Sequence, residues 1–153
     1  MTGQPTVTVV VNNNGVASGG VQATLLAAHP GIFTVDGTNG VIVHSANFQP
    51  ISAASPAARD EVVVAYATGL GPVSNAPRTG LPALLSPLSQ TLLGLTVTVG
   101  GVPAEILFSG LAPNFAGLYQ VNFRVPANVP VGVADVVIQV SGQSSKAVKM
   151  AVQ

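Results

Sequence analysis

Catalysis needs titratable groups that a fold can bring together, and this chain carries few of them. They are His29 and His44, the acids Asp36, Asp60, Glu61, Glu105 and Asp135, and the tyrosines Tyr66 and Tyr119. Neither histidine stands at a metal-ligand spacing, and no serine is framed by the G-x-S-x-G elbow of a hydrolase nucleophile. His29 precedes Pro30 at the entry to a predicted strand, and His44 ends one. Both read as ordinary loop histidines. The expectation is a protein that is not an enzyme, with no catalytic residue, no cofactor and no metal.

Two acidic spots deserve weighing against that reading. Asp36-Gly37-Thr38-Asn39-Gly40 resembles a fragment of an oxygen-rich calcium loop, but it lacks the further carboxylates that give such a site its charge. A Gly-rich hairpin turn accounts for it without metal. Asp60-Glu61 is the one acidic pair and stands just before a strand, where a solvated turn is the default, with Arg59 beside it as a local ion partner.

One strand offers a binding surface. Alternation over Leu118 to Val125 sends Tyr119, Val121, Phe123 and Val125 inward and leaves Gln120, Asn122 and Arg124 as a polar ladder outside. Amide and guanidinium groups offer donors to a sugar or a peptide. The wet face of a half-buried strand explains the same pattern. The ladder shows no aromatic platform in the sequence and the chain has no Trp, which counts against a lectin-like site. A spontaneous Lys–Asn isopeptide bond would need Lys146 or Lys149 beside an Asn and a buried acid such as Glu105, whereas most lysines are simply exposed.

Composition narrows the partners. Apolar residues make up 48% and charged residues only 7%, against about 25% in typical soluble domains. Mean hydropathy is +0.56. Gly, Pro, Asn and Ser nevertheless interrupt every apolar run well short of the roughly 18 residues a spanning helix needs. No membrane span is expected. The net charge is zero, and before Lys146 the only cations are Arg59, Arg78 and Arg124. Nucleic-acid binding requires clustered cations, so it is excluded as a function. A weakly charged apolar surface associates instead with proteins, including copies of itself. There is no Cys, hence no disulfide framework and no thiolate site. The opening Met1-Thr2-Gly3-Gln4-Pro5 lacks the basic and apolar regions of a signal peptide, so export would be directed by a segment upstream.

The elements that must position these residues are short strands. Period-2 alternation runs through Thr6–Val11, Val21–Ala27, Val41–Val43, Glu61–Ala67 (grouping Val62, Val64 and Tyr66), Leu93–Val99, Ala104–Phe108, Leu118–Val125, Val133–Val140 and Lys146–Val152. About nine strands separated by turn signals describe an all-β sandwich. In Gly69–Leu92, prolines 72, 77, 82 and 87 recur every five residues and rule out a regular helix beyond one turn, placed near Leu84. This long Pro-rich connection is expected to cover a sheet edge and to bury Leu81, Leu84, Leu85, Leu88 and Leu92. The front hairpin, Thr6-Val7-Thr8-Val9-Val10-Val11 returning through Val21–Leu25, parallels the closing one, Asp135–Val140 returning through Ala147–Ala151. Such a repeat is expected of a piece cut from a tandem array.

Four motifs carry a family likeness: His29-Pro30-Gly31-Ile32-Phe33-Thr34, Tyr66-Ala67-Thr68-Gly69-Leu70-Gly71, Val97-Thr98-Val99-Gly100-Gly101-Val102-Pro103-Ala104 and Tyr119-Gln120-Val121-Asn122-Phe123-Arg124-Val125-Pro126. In this order they resemble the Solibacter-type uncharacterised C-terminal domain of large secreted bacterial proteins. Gly100-Gly101-Val102-Pro103-Ala104 and Val131-Gly132 also look like the IPT/TIG type of immunoglobulin-like domain. The resemblance spans about His29 to Val152. It implies an immunoglobulin-like β-sandwich in an exported or surface-anchored protein, and it implies no activity.

Residues 29–153 are accordingly expected to form the sandwich, and residues 1–28 a hairpin left from a preceding module or donating a strand. The functional expectation is a structural or adhesion module of a bacterial extracellular or surface protein, with neighbouring modules or copies of itself as partners. Thr6, Val7, Thr8, Val9, Val10 and Val11 are the candidate strand-pairing segment. A self-assembling, strand-exchanging fibre subunit and a carbohydrate-binding module using Gln120, Asn122 and Arg124 are the alternatives.

Overall fold

The computed structural model describes residues 5–153; the first four residues of the expected front hairpin lie outside that range. Thirteen strands follow one another: β1 (Thr6–Val9), β2 (Asn12–Asn13), β3 (Val16–Ala17), β4 (Val21–Thr24), β5 (Gly31–Ile32), β6 (Ile42–His44), β7 (Val62–Thr68), β8 (Leu95–Val99), β9 (Val102–Leu111), β10 (Tyr119–Arg124), β11 (Gly132–Val140), β12 (Gln143–Ser144) and β13 (Val148–Val152). The described residues contain no helix, so the turn of helix expected near Leu84 is absent. The fold is all-β and sandwich-like.

Strands β5 to β13 form one curled antiparallel sheet in the order β12-β11-β8-β9-β10-β7-β5, with β13 on β11 and β6 on β7. The curl is built on β9. Its first residues pair with β8 (Val97 opposite Ala104), while Glu105 to Leu111 pair with β10. A long strand that serves two neighbours in turn carries the ribbon from one layer to the other. A bulge helps it bend: Asn122 faces Phe108 and Phe123 faces Ile106, which leaves Leu107 unpaired and exposed. The β8–β9 hairpin turns on Gly100 and Gly101, both at positive φ, the backbone a two-residue turn needs to match the strand twist.

The core sits between the layers. One layer contributes Val97, Val99, Val136, Ile138, Val140, Val148, Met150 and Val152, the other Ile42, Val63, Ala65, Ala67, Val121 and Phe123. Their period-2 spacing on β8, β10, β11 and β13 is the alternation read from the sequence. Phe123 is the largest fully buried side chain, and its truncation to Ala would cost about 3–5 kcal/mol through the cavity left behind. On β7 the core cluster takes Val63, Ala65 and Ala67 rather than the set Val62, Val64 and Tyr66, which lies on the opposite face, where Val64 is also buried and Val62 and Tyr66 are half-buried. A continuous apolar run does not reveal which of its two faces is inside.

The connection Gly69–Leu92 departs from expectation. It does close against the sheet, through Gln90 with Gly110 and the Thr91 N–H donating to the Ser109 carbonyl of β9; Val73 bridges Thr91 within the connection, Ala83 bridges Pro113 just past β9, and Leu70, Ala83 and Ser89 are buried. Leu81, Leu84, Leu85, Leu88 and Leu92 are nevertheless exposed. Past Leu70 the inward positions fall to small residues, Ala83 and Ser89, and these five leucines are turned to solvent.

Candidate functional site

The front hairpin stands apart from the core. β1 pairs with β4 from Thr6–Thr24 to Val9–Val21, and β2 with β3 beyond it. Between these pairings Val10 alone opposes Gly19 and Gly20, a bulge closed by the Ser18 N–H donating to the Val11 carbonyl. Asn14 and Gly15 make the tip with positive φ at both residues. Val7, Val9, Val10, Val11, Val16, Val21, Leu25 and Leu26 are all exposed, and no described residue before Ala28 belongs to the core. The strand-pairing segment Thr6 to Val11 is therefore present as strand β1 over Thr6–Val9, while Val10 and Val11 pass through the bulge.

The polar ladder lies on the outer face of β10, as read from the sequence. Gln120 is opposite Tyr66 on β7 and Gly110 on β9; Asn122 is opposite Val64 and Phe108. The Gln120 side-chain amide donates to Asn122 Oδ1 at 3.4 Å. Arg124 turns away from its companions: its guanidinium donates to the Glu105 carboxylate and to the Asp60 carbonyl, both at 2.9 Å. The ladder is thus two amides and one committed cation. It does have aromatic neighbours, contrary to the sequence reading. A side chain on Gly110 would overlap the Ser89 carbonyl and meet the Phe108 ring at 2.7 Å, so the connection and the tip of that ring together cover Gly110 next to Gln120. Tyr66 stands on the other side and also lines a groove of about 550 Å³ with Phe33, Thr34, Val41, Phe115 and Leu118. Three backbone bonds build that groove: Phe33 N–H to Tyr66 O, Tyr66 N–H to Val41 O, and Val41 N–H to Phe33 O.

His44 has a more specific setting than an ordinary loop histidine. Its Nδ1 is 2.5 Å from Glu61 Oε1, and its Nε2 is 3.1 Å from the Ser55 hydroxyl. Glu61 Oε2 accepts the Ala58 N–H at 2.8 Å, which fixes the carboxylate. Nucleophile, base and orienting acid are in hydrogen-bond order, the pattern of an activated serine. The backbone donors that such a serine needs for an oxyanion are spoken for. Ser55 N–H donates to the Ser52 carbonyl and residue 56 is Pro, without an N–H; Ala57 N–H donates to Ala151. As it stands, the trio clamps the 45–61 segment to the end of β6 and the start of β7. His29 is elsewhere: its N–H donates to the Gly69 carbonyl, which joins the segment before β5 to the end of β7.

The Asp36 turn uses its carboxylate internally. Oδ1 accepts the N–H groups of Thr38 and Asn39, and Oδ2 accepts from the Asn39 amide. These bonds, led by the Asn39 N–H, hold the Asp36 carboxyl below its usual range. Among the described residues no three His, Cys, Asp or Glu side chains gather in a way that could hold a metal. The isopeptide trio is not assembled either: Glu105 is exposed and paired with Arg124, Lys149 bonds Asp135 at 2.7 Å, and Lys146 is exposed. No helix among the described residues is long and apolar enough to cross a membrane.

No family model matches the chain, and no curated protein or solved structure matches it.

Proposed function

We propose that this chain is a non-enzymatic structural or adhesion module of a bacterial extracellular or surface protein, immunoglobulin-like in type, whose front hairpin makes its protein contacts. One observation carries the reading: β1–β4 expose aliphatic side chains with nothing of the core beneath them. A lone two-stranded hairpin is marginal in water, and a contiguous exposed apolar surface marks an interaction site. Zero net charge leaves little repulsion between copies or neighbouring modules. The commitment of the backbone N–H groups around Ser55 supports a non-enzymatic role.

A fibre subunit that exchanges strands is the second reading. It is favoured by the pairing of β1 with β4 alone among the described residues, which leaves an edge on each strand for addition. The double variant Val9→Glu/Val21→Lys tests both, because the two residues are cross-strand partners and an ion pair keeps the hairpin while placing charge in the middle of its apolar surface. Light scattering across concentration is expected to show association of the parent chain and its loss in the variant. A parent that stays monomeric throughout sinks both readings, and open-ended growth rather than small closed species selects the fibre.

A further inference from the structure

A second surface is independent of the hairpin. On the outer face of β10 the Gln120 amide has Tyr66 on one side; on the other lies the buried Gly110, closed over by the Ser89 carbonyl and the tip of the Phe108 ring. In an antiparallel sheet directly opposed side chains approach to about 5 Å, so the Tyr66 ring lies beside the Gln120 amide and the Phe108 ring beside the Asn122 amide. This face runs into the groove lined by Phe33, Tyr66 and Phe115, of which Phe33 and Phe115 are exposed. Gln120 Oε1 and Asn122 Nδ2 take no protein hydrogen bond among the described residues, so each has capacity for a ligand.

The chemistry selects the occupant. The lining is uncharged, and the nearby Arg124 is held by Glu105 and Asp60, so neither an anionic lipid nor a nucleic acid finds a counter-charge. β10 is hydrogen-bonded to β7 on one edge and β9 on the other, which leaves no free backbone edge for an added peptide strand. What remains is a ligand with flat C–H faces to lie on rings and neutral hydroxyls to pair with amides. We propose that the outer face of β7, β10 and β9 binds a neutral polysaccharide, with Tyr66, Phe33 and Phe115 against sugar faces and Gln120 and Asn122 on sugar hydroxyls. A groove of about 550 Å³ lies within the range of small-molecule sites.

Affinity electrophoresis of the full chain through gels containing hydroxyethyl cellulose, galactomannan, dextran or anionic alginate tests this. At least one neutral polymer is expected to retard the protein, and alginate to leave it unretarded. Phe115→Ala and Gln120→Ala are each expected to weaken retardation about fivefold, the loss of one stacked ring or one hydrogen bond. Phe115 is exposed and Gln120 faces outward, and a circular-dichroism melt confirms that both variants fold. The Val9→Glu/Val21→Lys chain is expected to bind like the parent, which keeps this outcome separate from that of the hairpin. Retardation by none of the neutral polymers, equal retardation by alginate, or unaltered binding in both folded variants overturns the proposal.

Discussion

The Tyr119 hydroxyl donates a 2.5 Å hydrogen bond to the carbonyl of Gly71, tying the first residue of β10 to the loop that leaves β7. Two segments 48 residues apart meet there, at the point where the long Pro-rich connection begins. The ring packs against the core, and burial pushes the phenol above the usual tyrosine range.

Tyr119→Phe keeps the ring and removes only this bond. The expected loss is about 1 kcal/mol, read as a lower urea midpoint at unchanged slope. An ultraviolet titration of the parent is expected to show one tyrosine ionising above the free-peptide value. The sign follows: the fold prefers the neutral phenol, so its contribution is whole below the unfolded-state pKa and disappears as pH rises through the folded one. A variant as stable as the parent, with no late-titrating tyrosine, contradicts this assignment.

The clamp at His44 makes a different prediction. Glu61→Ala orphans the Ala58 N–H and removes the partner of His44 Nδ1, for an expected loss of about 1–3 kcal/mol by denaturant unfolding. Ser55→Ala, at an exposed hydroxyl, is expected to stay within about 0.5 kcal/mol of the parent. A fluorophosphonate is expected to leave Ser55 unmodified. Covalent labelling that vanishes in His44→Ala would replace the clamp with a working nucleophile and end the non-enzymatic reading.

That trio also marks where the sequence stops being legible. β10 could be read residue by residue, because strict alternation of Tyr119, Val121 and Phe123 with Gln120, Asn122 and Arg124 admits one register of faces. β7 could not, since its apolar residues are consecutive and only pairing with β6 and β10 decides that Ala65 and not Tyr66 is inside. Ser55, His44 and Glu61 are brought together by a loop closure across 11 and 17 residues, and no spacing rule announces it. The aromatic neighbours of Gln120 and Asn122 are likewise a matter of strand register, with Tyr66 and Phe108 distant in sequence. Leu81 to Leu92 failed for a third reason. Hydrophobicity alone predicts burial for these leucines, whereas the proline-interrupted connection, with no regular helix or strand face to turn inward, leaves them exposed.

Gly69 and Gly101 separate close approach from turn geometry. Both have positive φ, but a Cβ at Gly69 would overlap the His29 carbonyl, whereas at Gly101 it meets nothing. Gly101→Ala is expected to cost about 1–2 kcal/mol, the conformational penalty alone. Gly69→Ala adds a backbone collision at the junction of β5 and β7, and thermal melts are expected to place it well below the Gly101 variant. Equal melting temperatures for the two would mean that the His29–Gly69 contact yields freely.

The Asp36 turn is testable by proton uptake. Its carboxylate accepts two backbone N–H groups and one side-chain amide, all of which favour the charged form. With the folded pKa depressed, this stabilisation is present above the unfolded-state value and is lost as pH falls through the folded one. The amide resonances of Thr38 and Asn39 are expected to move together in an NMR titration, with a midpoint below that of an unstructured Asp peptide. Asp36→Asn is expected to abolish that transition while leaving the core strands in place, because the turn is exposed and lies outside the buried cluster. A midpoint at or above the peptide value would mean that the carboxylate is not held by these donors, and would reopen the turn to other ligands, a cation first among them.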